Sequence, residues 1–415
     1  MRRWFQRLPV LAWEGKSKPS REISPVTTYY MILIPVVCLI LVGLIMVFSA
    51  STVTDIGLGL NPYTAYLRNL AIMAAGVMVM VLGMQLPVKF YQLLTIPLAL
   101  IAAVLQSLVA TSLGVAIGGN RNWLAIPGLP SFQPSELLKL ALAMFLGWVL
   151  VKTQIDRTNP VHVGINIGIP VVVSLGLVML GSDLGTALIF VALAMAVLMA
   201  IDIPGRWYWL LGLIGGGMAG YYVASKSSRL VRILQSLGLG SSSTSSLQAP
   251  EQIDHSKWAL GAGGLTGLGP GASREKWNYL SAASTDFIFA VLGEELGLVG
   301  TLFVVACFAA LAVGFYRLSV YHHSIYGRVV SAGVGGWILS QAVVNMGMVV
   351  DLTPVVGVPL PLVSSGGTAF VVTCAAFAVV MSIARHDTGM EQAFGMRTLM
   401  AKAQQQRPRP RKERV

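Results

Sequence analysis

Ten apolar runs follow one another along the chain, at residues 29–50, 69–87, 91–113, 135–151, 164–181, 184–201, 207–223, 287–316, 328–350 and 366–384. Each is close to the ~20 residues a helix needs to cross the hydrocarbon layer of a bilayer. Only 11% of the 415 residues are charged, against about 25% in ordinary soluble domains. Lipid-facing helices require that deficit, because a charge at the bilayer centre costs several kcal/mol. The fold class that follows is an all-α polytopic membrane protein of about ten transmembrane helices. One large extracytoplasmic loop, 224–285, separates the seventh from the eighth. The eighth run is long enough either to tilt or to include a stretch outside the bilayer.

Short-loop basic residues set the orientation. Lys89, Lys152, Arg157, Arg206, Arg317 and Arg328 fall on one side together with both tails. That side is the cytoplasm, and an even number of spans makes the scheme self-consistent. Three regions result: a basic cytoplasmic tail at 1–28, a membrane domain at 29–384 and a second basic tail at 385–415. The formal net charge of +12 is concentrated at these ends, which suits anionic lipid and argues against nucleic acid. Cys38, Cys307 and Cys374 lie inside apolar runs, so there is no disulfide framework. The five histidines show no HExxH-type metal spacing. Within the large loop, Leu230, Ile233, Leu234 and Leu237 stand at i, i+3, i+4, i+7. That spacing predicts a short amphipathic helix, on the bilayer surface or packed on the spans. A Ser/Gly-rich flexible stretch follows at 238–247.

Polar residues at the outer ends of spans carry the chemistry. The first group is Arg121-Asn122-Trp123 and Gln133-Pro134-Ser135-Glu136, with Lys139 one turn further into the fourth span. Glu136 suits a helix N-terminus and is spaced to pair with Lys139; alternatively the lysine faces a cavity. Arg121 offers a fork for phosphate oxygens. The second group is Asp183-Leu184-Gly185-Thr186, where Asp183 reads either as an N-cap or as a charge lining a polar cavity. The third closes the large loop. Six glycines between Gly261 and Gly271, able to bring backbone amides to an anion, precede Ser273-Arg274-Glu275-Lys276-Trp277. Then come Thr285-Asp286-Phe287 and Glu294-Glu295. Asp286 sits where loop enters membrane. It is either an N-cap or a carboxylate whose desolvation makes it a usable base. Finally, three prolines in the nine residues Thr353–Pro361 forbid a regular helix before Ser364-Ser365-Gly366-Gly367. Irregular backbone at membrane depth is tolerated only against protein or a wet cavity.

Taken in order, these motifs resemble the SEDS family (shape, elongation, division and sporulation), the FtsW/RodA peptidoglycan glycosyltransferases. The Ser273–Trp277 form and the basic tails lean towards the FtsW-like branch. The resemblance implies ten helices, lipid II as substrate and Asp286 as the essential aspartate. It also implies, as partners, a class B penicillin-binding protein transpeptidase and other divisome proteins, at a bacterial cytoplasmic membrane and its division septum. Departures are visible. The family's Pro-Glu-Ala-His before Thr-Asp-Phe is Ser281-Ala282-Ala283-Ser284 here, and positions often Glu and Lys are Asn278 and Val356.

The expected chemistry joins an acceptor 4-hydroxyl to a donor anomeric carbon, with Asp286 as the base and a lipid diphosphate leaving. Arg121, Lys139, Arg274 and Lys276 would hold diphosphates, Glu136 and Asp183 would orient those cations or line the cavity, and Ser365 would contact substrate. A divalent cation, Mg or Mn, would share that work, although no ligand set is legible; no organic cofactor is implied. The rival readings are a lipid flippase or ion-coupled transporter, whose key charges belong near the midplane, and a non-catalytic divisome scaffold.

Overall fold

The computed structural model describes residues 24–57, 61, 63–117, 120–125, 131–153, 156, 159–224, 252–277, 279–280, 282–353 and 355–386. The amphipathic stretch at 229–237, the flexible stretch after it and most of both tails lie outside them.

Each apolar run forms the body of a helix. In chain order these are α1 (Pro25–Gly57), α2 (Tyr63–Gly83), α3 (Val88–Leu108), α4 (Pro134–Thr153), α5 (Pro160–Met179, with a π-turn at Gly164–Gly168), α6 (Leu184–Ala200) and α7 (Arg206–Ala224). After a short loop helix α8 (Gln252–Gly263) come α9 (Ile288–Tyr321), α10 (Ile325–Val349) and α11 (Gly367–Arg385). Eight of these are long and apolar enough to cross a membrane, and α6 is a shorter apolar helix. The protein is thus a polytopic membrane protein. The third run overshoots its helix: α3 stops at Leu108, where the Ser107 and Thr111 hydroxyls turn back to the Val104 and Leu108 carbonyls. Beyond it lies one element absent from the all-α expectation, a hairpin of β1 (Gly114–Ile117) and β2 (Asn120–Leu124).

The bundle has a buried centre and a lipid-facing shell. Of the α4 span 83% is buried, against 17% for α2 and for α3. α10 packs on α4, α6 and α9, while α1 lies against α9 and α11 against α2. Apolar side chains such as Leu41, Ile45, Leu100 and Val172 remain on the outside, as a hydrocarbon surrounding allows.

The 34-residue α9 is about 51 Å long at 1.5 Å per residue, well beyond the ~30 Å bilayer core. It accommodates by breaking. Gly297, at φ 65° and ψ −163°, divides a half-helix at 288–296 from the span proper. This region is essentially closed to side chains. A Cβ there would also meet the Gly267 nitrogen at 2.3 Å. The break strands backbone groups on both sides, and the glycine-rich loop supplies their partners. The Leu268 and Gly269 amides donate to the Glu294 and Glu295 carbonyls, each at 3.0 Å. The Leu298 and Val299 amides donate to the Gly264 and Leu265 carbonyls, at 3.0 and 3.2 Å. Those glycines therefore serve a helix splice, and their amides are engaged by protein. The splice fixes the half-helix whose N-terminus follows Asp286.

Candidate active site

Asp286 lies in a tight turn entering α9. The amides of Thr285, Asp286 and Phe287 all donate to the Ala282 carbonyl, at 3.1–3.2 Å. Ala282 adopts φ 58° to allow it, a left-handed conformation that costs a non-glycine residue about 1 kcal/mol. The turn's outward carbonyls are captured by side chains. Ser365 Oγ donates to Ser284 O at 2.7 Å, Ser364 Oγ to Thr285 O at 2.6 Å and Asn345 Nδ2 to Asp286 O at 2.8 Å. Phe287 and Ile288 are buried directly behind. The N-cap of α9 is Phe287, without a side-chain cap. Asp286 is therefore no cap, and among the described residues its carboxylate has no hydrogen-bond or ion-pair partner. Burial pushes this half-buried carboxyl up from its ordinary 3.8 to about 6.

Opposite the turn runs the proline-interrupted segment, irregular as expected over 355–360. Gly357, at φ 67°, is exposed there, and a Cβ at this position would stand 3.6 Å from Asp286 Oδ2. Two buried amides of α10 hold the segment. Asn345 Nδ2 donates its second hydrogen to Val358 O at 2.7 Å, and Gln341 Nε2 donates to Pro359 O at 2.8 Å. Gln341 Oε1 in turn accepts from Lys139 Nζ at 2.9 Å and Trp337 Nε1 at 2.8 Å. Lys139 also pairs with Glu136 at 2.8 Å and lies 4.8 Å from the Trp337 ring centre. The Glu136–Lys139 pair is 1–2% exposed, so this lysine is enclosed and does not face an open cavity.

Asp183 is the N-cap of α6. It accepts from Thr186 N at 2.9 Å, Thr186 Oγ1 at 2.8 Å and Asn122 Nδ2 at 2.6 Å. Next to it Gly185 lies so close to the Val356 carbonyl that a Cβ would approach it to 2.7 Å. The hairpin places Asn122 inward and Arg121 outward. Arg121 bonds the Thr111 and Gly114 carbonyls from an exposed position.

Lys276 is buried. Its ammonium donates to Glu295 Oε1 at 2.8 Å, Ser49 Oγ at 2.7 Å and Gly271 O at 2.8 Å. All three of its hydrogens are engaged, which ties the loop to α1 and to the half-helix. Glu294 accepts from Ser273 Oγ and from the Arg274 and Glu275 amides, leaving the Arg274 side chain exposed. The fold thus brings Asp286, Ser365, Glu136, Lys139 and Asp183 to one end, linked through the 355–366 segment. Asn345 and Gln341 are neutral side chains inside an apolar run, and ionisable residues alone do not point to them. Two amides one turn apart inside an apolar run were the available signal. Among the described residues no three His, Cys, Asp or Glu side chains converge as a metal-ligand set. The described residues thus offer no all-protein ligand set for a divalent cation.

A family model described as cell cycle protein, FtsW/RodA/SpoVE, matches residues 29–389. The chain is 32% identical to stage V sporulation protein E of Bacillus subtilis, over 86% of this chain and 97% of that one. It is 30% identical to the probable peptidoglycan glycosyltransferase FtsW of Trichlorobacter lovleyi, over 85% of this chain and 92% of the relative. Two solved structures share the fold at 24% identity. One is a chain of a peptidoglycan synthase complex, with TM-score 0.68, covering 86% of this chain and 98% of that one. The other is the rod shape determining protein RodA of Thermus thermophilus, with TM-score 0.62, covering 86% and 97%. With the family model running from the first apolar run through the last, this chain belongs to the FtsW/RodA/SpoVE family of cell cycle proteins.

Proposed function

We propose that this protein is a peptidoglycan glycosyltransferase that polymerises lipid II into glycan strands during cell division, with Asp286 as general base. One observation carries the proposal: among the described residues, Asp286 alone of the buried or half-buried carboxylates of these motifs has no hydrogen-bond or ion-pair partner, on a turn braced by three side chains. Glu136, Asp183, Glu294 and Glu295 are all engaged. In the reaction the acceptor 4-hydroxyl attacks the donor anomeric carbon and its proton passes to Asp286. The new C–O bond forms as the bond to the lipid diphosphate breaks. A half-desolvated carboxylate near pKa 6 accepts that proton more readily than one at 3.8.

Among the cations of these motifs, Arg274 and Arg121 have exposed guanidinium groups available to diphosphate oxygens. Lys139 donates to Glu136 and Gln341, and Lys276 has all three hydrogens engaged by protein, which supports a bracing role for both. The same holds for Ser365, whose hydroxyl grips the Asp286 turn. A divalent cation carried by the substrate's diphosphate would shield its charge. The end carrying Asp286 faces the outside of the cytoplasmic membrane at the septum, with both tails in the cytoplasm. The partners are a class B penicillin-binding protein transpeptidase and other divisome proteins. The test is polymerisation of labelled lipid II by the purified protein, with and without that transpeptidase. Glycan from the parent and none from Asp286→Asn is expected; full polymerisation by the variant overturns the base assignment. Leaflet-to-leaflet movement of lipid II without glycan would show a transporter instead.

A further inference from the structure

The turn that carries Asp286 has no ladder of its own, so its conformation depends on who satisfies its peptide groups. The inward amides share one carbonyl, that of Ala282. The three outward carbonyls go one each to Ser365, Ser364 and Asn345. Asn345 differs from the two serines in its reach. It sits on rigid α10, fully buried, and its two amide hydrogens go to two separate irregular segments: Asp286 O at 2.8 Å and Val358 O at 2.7 Å. Ser364 makes a similar bridge, accepting from Leu360 N at 2.8 Å while donating to Thr285 O.

We infer that Asn345, seconded by Ser364, is the positioning residue for Asp286, setting the carboxylate's place against the Gly357 wall by clasping both backbones at once. The inference rests on the reading of Asp286 as the base. Nothing else among the described residues holds that carboxylate, so its direction is inherited from the turn, and the turn's from the clasp. An amide is suited to the task because both its hydrogens are needed. An aspartate at this position would set acceptors against two carbonyls, and a leucine would leave both carbonyls buried and unpaired. Asn345 is buried under the turn and touches no open surface, so its loss leaves the ground-state contacts of substrate in place. A misplacement of about 1 Å at a reacting group costs on the order of 100-fold in rate.

The experiment compares Asn345→Leu, Asn345→Asp, Asn345→Ser and Asp286→Asn in the full chain with its transpeptidase partner. It measures kcat, KM for lipid II, the pH profile of kcat and thermal unfolding. We expect Asn345→Leu and Asn345→Asp to lose about 100-fold in kcat with KM within about twofold. Their acid limb should move below the parent's, because a loosened turn admits water to the carboxylate. Asn345→Ser, keeping one donor, should fall between. Parent-like kcat and acid limb in Asn345→Leu, beside an inactive Asp286→Asn, would overturn the inference and leave the base reading standing. An active Asp286→Asn would instead overturn the base reading. Should the leucine and aspartate variants fail to fold, Asn345→Ser decides alone: an unshifted acid limb, or a loss confined to KM, counts against the clasp.

Discussion

Replacing Asp286 by asparagine should make the protein more stable and inactive at once. The carboxyl's rise from 3.8 to about 6 is caused by burial, so it measures how much the folded state resists the ionised form. That difference corresponds to at most about 3 kcal/mol, less whatever the carboxylate's open edge to water returns. The sign follows from linkage. A carboxyl raised on folding favours the native state fully below its unfolded value, and that contribution is lost as pH rises through the folded value. Near neutral pH the parent therefore carries the penalty and the neutral amide does not. Around pH 4 the carboxyl is protonated when folded and the advantage of asparagine shrinks towards zero. Thermal unfolding of parent and variant in the same detergent across this range measures the effect, while glycan formation is followed in parallel. The parent's activity should fall on acidification with a midpoint near 6. A variant less stable than the parent at neutral pH, or a parent acid limb near 4, would refute the reasoning, because Asp286 would then be solvated or paired.

Further predictions concern the bracing. Lys276→Met should cost about 3–5 kcal/mol by leaving Glu295 buried without its cation; Lys276→Met with Glu295→Leu should restore much of that in thermal unfolding. Gly297→Ala should lower folded yield and melting temperature sharply, since its φ of 65° and the 2.3 Å approach to Gly267 admit no Cβ. Arg274→Ala should raise KM for lipid II several-fold with unfolding unchanged, whereas Lys139→Met should lower stability first, as it strands Glu136 in the core.

Chain length and apolarity settled the helices early, because the transfer energy of a 20-residue segment is a local property. The Glu136–Lys139 pair was legible for the same reason: its partners are three residues apart on one helix. Asp286 was legible as a carboxylate at a membrane boundary, although only the structure shows that it does not cap α9. The roles of the other groups depended on contacts that sequence distance hides. Lys276, read as a diphosphate ligand, is closed off by Ser49, 227 residues away. The glycine run, read as an anion loop, became the splice of a broken helix.

What the sequence by itself determined was therefore the set of membrane helices and the charged residues at their ends. Which of those charges brace the fold, and which have no partner among the described residues, was decided by tertiary structure. The reason is geometric: a buried charge or peptide group has to find a partner, and that partner is chosen by which distant segments packing brings within about 3 Å.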